Sequence, residues 1–314
     1  MATISWQGVY PALLTPFDEN EEIDFDLYKL NLEAQIQAGV DGIIIGGSLG
    51  ETSTLLGEEK KALLLYSKAI VPADMPVIVN IAEQSTKVAI ALAQEAEQNG
   101  ADGLMLLPPM RYKADDRETV AFFKAVAHNT SLPILLYNNP VDYKIEITLD
   151  MFEQLLDVEN IQAVKESTRN TMNVTRMLNR FGDRYKILTG VDPIALESLL
   201  LGAQGWVAGL VDAFPRETVA IYRLAKAGRI EEALAINRWF LPLCELDIHP
   251  KLVQYIKLAA KATGIGSEYV RAPRLLLEGE EKIAVQKVID DALACRPELP
   301  EYLHLQNVSN AQWA

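Results

Sequence analysis

The chain has 314 residues, 49% hydrophobic and 23% charged, a globular balance that suits two ordinary domains or one α/β barrel and needs no disulfide or metal to hold a core. A formal charge of −14 leaves no basic stripe for counterion release, which argues against nucleic-acid binding but is compatible with a locally positive pocket for an anionic small molecule. Met1 to Gln7 lack the basic stretch and apolar core of a secretory signal, and no uncharged apolar run approaches the roughly 18 residues of a membrane span, so a cytoplasmic protein is expected.

In chain order, short apolar runs alternate with longer amphipathic stretches. The predicted strands are Val9–Thr15, Gly42–Gly46, Val77–Ile81, Gly103–Leu107, Ile134–Tyr137, Ala163–Lys165, Lys186–Thr189 and Trp206–Leu210. Each is apolar almost throughout, as parallel strands covered on both faces are. Helical patterns separate them, such as Asp26–Ala38, Lys60–Ile70, Thr86–Gln98 and Thr119–His128. Ala38-Gly39-Val40-Asp41-Gly42, Asn99-Gly100-Ala101-Asp102-Gly103 and Leu201-Gly202-Ala203-Gln204-Gly205 read as one repeated helix-to-strand loop. Eight βα units favour a closed (β/α)8 TIM barrel over residues 1–227. Gly46-Gly47-Ser48-Leu49-Gly50 lacks the Gly-x-Gly-x-x-Gly spacing of a dinucleotide fold.

Beyond Arg216–Lys226 only helices are predicted: Ile230–Leu241, which Pro242 should kink or end, then His249–Ala262 and Glu281–Ala294. Residues 228–296 read as a helical appendix packed on the barrel, and 297–314 as a tail in which Trp313 either docks or is disordered. Cys244 and Cys295 have no partners at metal-like spacing and read as free packing cysteines. His128, His249 and His304 are scattered and read as surface or packing residues, so neither a metal nor another cofactor is expected.

A TIM barrel carries its chemistry at the C-terminal ends of its strands. There the sequence places Gly47-Ser48-Leu49 with Glu51 beyond, Tyr137-Asn138-Asn139-Pro140, Lys165-Glu166-Ser167-Thr168, Gly190-Val191-Asp192 and, on strand 8, Val207. Lys165 follows the apolar Ile161-Gln162-Ala163-Val164. Burial there disfavours the ammonium and would make a nucleophilic amine, unless Lys165 is instead half of a buried ion pair. Tyr137 could relay protons to that amine, or simply fill the barrel mouth. The turn at Ser48 and Leu49 could present donors to a carboxylate, or its glycines could serve only the turn.

With these motifs, the chain resembles the dihydrodipicolinate synthase and N-acetylneuraminate lyase family of Schiff-base barrels along nearly its whole length. The resemblance rests on Gly47-Ser48-Leu49-Gly50-Glu51, Tyr137-Asn138-Asn139-Pro140 and Val164-Lys165-Glu166-Ser167. It implies that Lys165 forms the imine, that Tyr137 relays protons, that Gly47, Ser48, Leu49 and Val207 contact the substrate, and that the chain forms a homotetramer built from dimers. The synthase proper has two threonines where this chain has Ser48-Leu49, a tyrosine shared across a dimer interface where it has Met110, and an arginine where it has Val141-Asp142-Tyr143-Lys144. Condensation of pyruvate with aspartate semialdehyde is therefore disfavoured. Closer is the resemblance to the 1-pyrroline-4-hydroxy-2-carboxylate deaminases of hydroxyproline breakdown, carried by Pro109-Met110-Arg111-Tyr112-Lys113, Tyr137-Asn138-Asn139-Pro140-Val141, Lys251-Leu252-Val253-Gln254-Tyr255-Ile256-Lys257 and Tyr269-Val270-Arg271-Ala272-Pro273-Arg274. It implies conversion of that cyclic imine to 2,5-dioxopentanoate and ammonia. A 2-keto-3-deoxy acid or 4-hydroxy-2-oxoglutarate aldolase releasing pyruvate, the synthase itself, and a non-catalytic barrel that binds small acids or acts as a scaffold are the alternatives.

Overall fold

The computed structural model describes residues 4–305. Eight parallel strands alternate with helices: β1 (Gly8–Pro11), α1 (Phe25–Ala38), β2 (Ile43–Ile45), α2 (Gly57–Ile70), β3 (Val77–Ile81), α3 (Thr86–Gln98), β4 (Gly103–Leu106), α4 (Asp116–Ala127), β5 (Ile134–Asn138), α5 (Leu149–Gln154), β6 (Ile161–Glu166), α6 (Met172–Phe181), β7 (Lys186–Thr189), α7 (Ala195–Leu200), β8 (Gly205–Ala208) and α8 (Pro215–Lys226). Neighbours in sequence pair in space, β1 pairs with β8, and the Leu13 N–H donates to the Ile44 carbonyl at 2.9 Å, closing β1 onto β2. This is the (β/α)8 barrel expected from the alternation. α7 ends where the repeated loop at Leu201 predicts a helix end; α5 and α7, six residues each, are too short for the apolar period to show by itself.

The repeated loop has a physical basis. Gly39, Gly100 and Gly202 all have left-handed backbone, with φ of 88°, 85° and 112°. Two residues later each repeat places a side-chain acceptor on the N-terminal end of a strand. Asp41 accepts from Val9 N–H, Asp102 from Val77 N–H and Gln204 from Ile187 N–H, at 2.9, 2.9 and 2.8 Å. These bonds satisfy strand groups that the barrel floor would otherwise bury unpaired. The repeat ends on Gly42, Gly103 or Gly205 because a β-carbon there would lie 2.5 to 2.8 Å from Tyr10, Ile4 or Leu188.

Three further helices follow: α9 (Ile230–Cys244), α10 (Leu252–Ala262) and α11 (Gly279–Ala294). α9 packs along α8, and α11 packs across α9 and α10. Pro242 does not end α9, which runs two residues further; it sits in the last turn of the helix. The chain after α11 docks as far as it is described, with Tyr302 buried and Leu299 against the core. Trp313 lies outside the described residues. Cys244 is buried as expected, whereas Cys295, at the end of α11, is exposed and therefore not a packing cysteine. No helix among the described residues is long and apolar enough to cross a membrane.

Candidate active site

At the C-terminal end of the barrel lies a cavity of about 580 Å³. Lys165, Tyr137, Ser48, Leu49, Gly47 and Val207, gathered from four strand ends, all line it. Tyr137 on β5 and Lys165 on β6 are partners in the parallel register, so their side chains leave the sheet side by side. The Lys165 amine sits 4.2 Å from the centre of the Tyr137 ring. Among the described residues no carboxylate oxygen comes within the 4.0 Å of a salt bridge to it. The ion-pair reading of Lys165 thus fails: it is a buried amine without a direct counterion. Burial pulls its pKa down, while Asp247 and Tyr143 pull the other way. Gly190 provides the room, since a β-carbon there would lie 2.6 Å from Cγ and Cε of Lys165.

The turn after β2 has free donors. Neither the Ser48 nor the Leu49 N–H has an acceptor among the described residues, although both residues line the cavity. Gly46, with φ of 64°, starts the turn, and Glu51, with φ of 56°, ends it. Glu51 is buried and pairs with Lys257 of α10 at 2.5 Å, so the lysine that does form a buried ion pair stands behind the turn, not in the cavity.

The chain after β5 brings Asn139 of the motif together with Asp142 and Tyr143, which in sequence mark only the place of a missing arginine. Asn139 caps a single helical turn, Pro140–Tyr143, and its amide donates to the Tyr137 hydroxyl at 3.1 Å and to Asp142 at 2.7 Å. Tyr143 lies edge-on to Tyr137, ring centres 5.5 Å apart, and its hydroxyl bonds the Ser48 hydroxyl. Burial raises both phenols, so both hold their protons at neutral pH. Lys144 and Arg169 stand on the rim with φ of 63° and 62°. Left-handed non-glycine residues cost energy and gather at functional sites, but nothing in a sequence marks a lysine or arginine as left-handed.

The helical appendix also reaches the cavity. The link between α9 and α10 lays Asp247, Ile248, His249 and Pro250 against it. His249 is therefore a cavity residue stacked on Tyr255, ring centres 4.4 Å apart, rather than a generic surface or packing histidine. A run of titratable residues before Pro250 was a visible signal, but only the return of α9 over the barrel mouth gives it meaning. Asp247 faces Lys165, and its nearest acidic neighbour is Asp192, whose N–H reaches an Asp247 oxygen at 3.5 Å. Burial first, and then Asp192, raise the Asp247 carboxyl well above the usual carboxylate range. No cluster of three or more His, Cys, Asp or Glu side chains able to hold a metal occurs among the described residues.

The profile of the Dihydrodipicolinate synthetase family matches residues 5–292. A 4-hydroxy-tetrahydrodipicolinate synthase of Oceanobacillus iheyensis is 30% identical over 284 residues, 90% of this chain and 96% of that protein. The solved 4-hydroxy-tetrahydrodipicolinate synthase of Methylacidiphilum fumariolicum SolV superposes with a TM-score of 0.84 at 31% identity, covering 92% of this chain and 97% of the other. A prophage protein of the same family from E. coli K12, solved in complex with pyruvate, gives a TM-score of 0.86 at 25% identity, covering 93% and 100%.

Proposed function

Because the chain belongs to the dihydrodipicolinate synthetase family, whose members are class I Schiff-base lyases, we propose that Lys165 forms an imine with 1-pyrroline-4-hydroxy-2-carboxylate and that the enzyme releases 2,5-dioxopentanoate and ammonia. The observation that carries the imine chemistry is the pairing of a buried amine lacking a direct counterion with two unclaimed N–H donors in one cavity. A neutral amine attacks the substrate C2, and the N–H groups of Ser48 and Leu49 hold the C1 carboxylate beside it. The ring nitrogen is displaced by Lys165 and becomes a free amine on C5. The iminium then draws electrons from C3, so a C3 proton leaves to a bound water held by the Tyr137 hydroxyl, and the C4 oxygen departs as water. Rearrangement yields imines at C2 and C5. Their hydrolysis takes up two waters, so the sum is one water consumed and one ammonia released.

Asp142 supports this substrate over one with a second carboxylate. It is an anion where a synthase needs a cation, and it suits the positive amine of the opened ring. Tyr143, hydrogen-bonded to Ser48, puts a second phenol of the same chain beside Tyr137. The working assembly on this reading is a homotetramer, measurable by light scattering.

The names of the relatives favour a second reading, condensation of pyruvate with aspartate semialdehyde, and Arg169 at the rim is a guanidinium that could hold the second carboxylate. Product analysis separates the two. Ammonia released from the cyclic imine, with a borohydride-trapped adduct on Lys165 that Lys165→Ala abolishes, is the expected result. Consumption of pyruvate with aspartate semialdehyde and no ammonia would establish the synthase instead. Pyruvate without ammonia from a 4-hydroxy-2-oxo acid would mark an aldolase.

A further inference from the structure

We propose that Asp247, from the link between α9 and α10 outside the barrel, is the catalytic acid that protonates the C4 oxygen as the C4–O bond breaks. The inference rests on the deaminase reading above and names the group that decides its outcome. An imine at C2 is an electron sink for two reactions. If the C4 hydroxyl is deprotonated, the C3–C4 bond breaks and pyruvate leaves; if it is protonated, water leaves. The site therefore needs a proton donor reaching C4, and the lysine itself supplies no such preference.

Asp247 has the position. It lines the same cavity as Lys165 and acts on its charge, yet its oxygens stay beyond salt-bridge distance of the amine, so it is not tied up in an ion pair with it. Gly209 fixes its approach, because a β-carbon there would lie 2.5 Å from an Asp247 oxygen. Asp247 also has a neighbour that keeps it protonated. Asp192 is buried and accepts from Trp206 Nε1 at 2.8 Å, from the Leu210 N–H at 2.7 Å and from the Gly209 N–H at 3.1 Å. Those donors favour the charged form of Asp192, and the half-buried Asp247 carboxyl in contact with it does not readily ionise as well. The proton of the pair then resides on Asp247, with Asp192 a positioning residue behind it.

The step balances. Loss of the C3 proton pushes electrons toward C4, the C4–O bond breaks, and the oxygen takes the Asp247 proton to leave as water. The product is an iminium conjugated to a C3–C4 double bond. A bound water removes a C5 proton and passes it to Asp247, C3 is reprotonated to give a C4=C5 enamine, and C4 takes up a proton as the C5 nitrogen loses one, which moves the double bond to that nitrogen. Asp247 ends protonated again, and no oxidant or further reactant is needed.

The test uses the full-length enzyme and Asp247→Asn, with the cyclic imine and its 4-O-acetyl derivative, whose acetate departs without a proton. Asp247→Asn should still yield the borohydride adduct on Lys165, which shows a folded site. It should lose roughly a hundredfold or more in ammonia release from the hydroxyl substrate, the range of a lost general acid, and recover most of that loss on the acetyl substrate. Ammonia release at the wild-type rate would overturn the role of Asp247, as would an equal loss on both substrates. Loss of the Lys165 adduct in the variant would also overturn it, since Asp247 would then serve the imine rather than C4. Absence of both adduct and ammonia with the wild-type enzyme would overturn the functional reading itself, and this inference with it.

Discussion

Lys257→Met tests whether the carboxylate turn is braced by a charge from outside the barrel. Lys257 and Glu51 are both almost wholly buried, with Nζ and Oε1 2.5 Å apart. The amine also donates to the Tyr269 carbonyl at 2.6 Å and lies 4.4 Å from the centre of the Phe17 ring. The second Glu51 oxygen accepts from the Arg271 N–H at 3.2 Å and from Arg274 at 3.4 Å. Burial lowers the Lys257 amine to about 8 against the opposing pull of Glu51. Methionine keeps much of the side-chain volume but deprives the buried Glu51 side chain of its nearest cation. Removing one member of a buried pair costs about 3–5 kcal/mol, and the partners that Glu51 keeps place this case near about 3 kcal/mol. At about 2–4 °C per kcal/mol for a chain of this size class, the melting temperature should fall by roughly 6–12 °C. Glu51→Gln combined with Lys257→Met should regain much of that, because a buried amide is cheaper to leave without a cation than a carboxylate. Thermal melts of the wild type, both single variants and the double variant measure the coupling. Because Glu51 closes the turn holding Ser48 and Leu49, KM for the carboxylate substrate should also rise. A single variant melting within about 2 °C of wild type, or a double variant no more stable than the sum of the two singles, would refute the reasoning.

Tyr137→Phe keeps the ring under the Lys165 amine and removes only the hydroxyl; turnover should fall about a hundredfold with the Lys165 adduct still trappable, and an unchanged steady-state rate would remove Tyr137 from the relay. Gly190→Ala should leave the barrel folded by circular dichroism but block adduct formation, because the new methyl would lie 2.6 Å from the Lys165 side chain. Asp212 is wholly buried, one of its oxygens has no partner among the described residues, and burial raises its carboxyl well above the usual range. A carboxyl raised in the fold stabilises it fully below the unfolded value and loses that contribution as pH rises through the folded value. Asp212→Asn should therefore melt above wild type in buffers on the alkaline side of neutrality, with a margin that shrinks as the pH falls into the ordinary carboxylate range; a margin independent of pH would contradict this.

The barrel was legible because it is written in local terms. Eight apolar runs of strand length, separated by amphipathic stretches that end on glycine, need no distant information, and the repeat at Gly39, Gly100 and Gly202 is a turn whose backbone only glycine adopts cheaply. The core of the site was legible for the same reason. The end of a barrel strand is where chemistry lies, and Lys165, Tyr137 and the Ser48–Leu49 turn can be counted off strand by strand.

Tertiary structure alone decided which charges meet. Two buried lysines, Lys165 and Lys257, look alike in sequence, but only the fold gives Lys257 a carboxylate at 2.5 Å and leaves Lys165 without one. Asp247 and His249 stand more than eighty residues after Lys165, in a segment that reads as an outer helical appendix, and enter the cavity only because α9 and α10 fold back across its mouth. Hydrophobic period records which face of an element is buried. It carries no record of what lies across a cavity, because that depends on packing between segments distant in the chain.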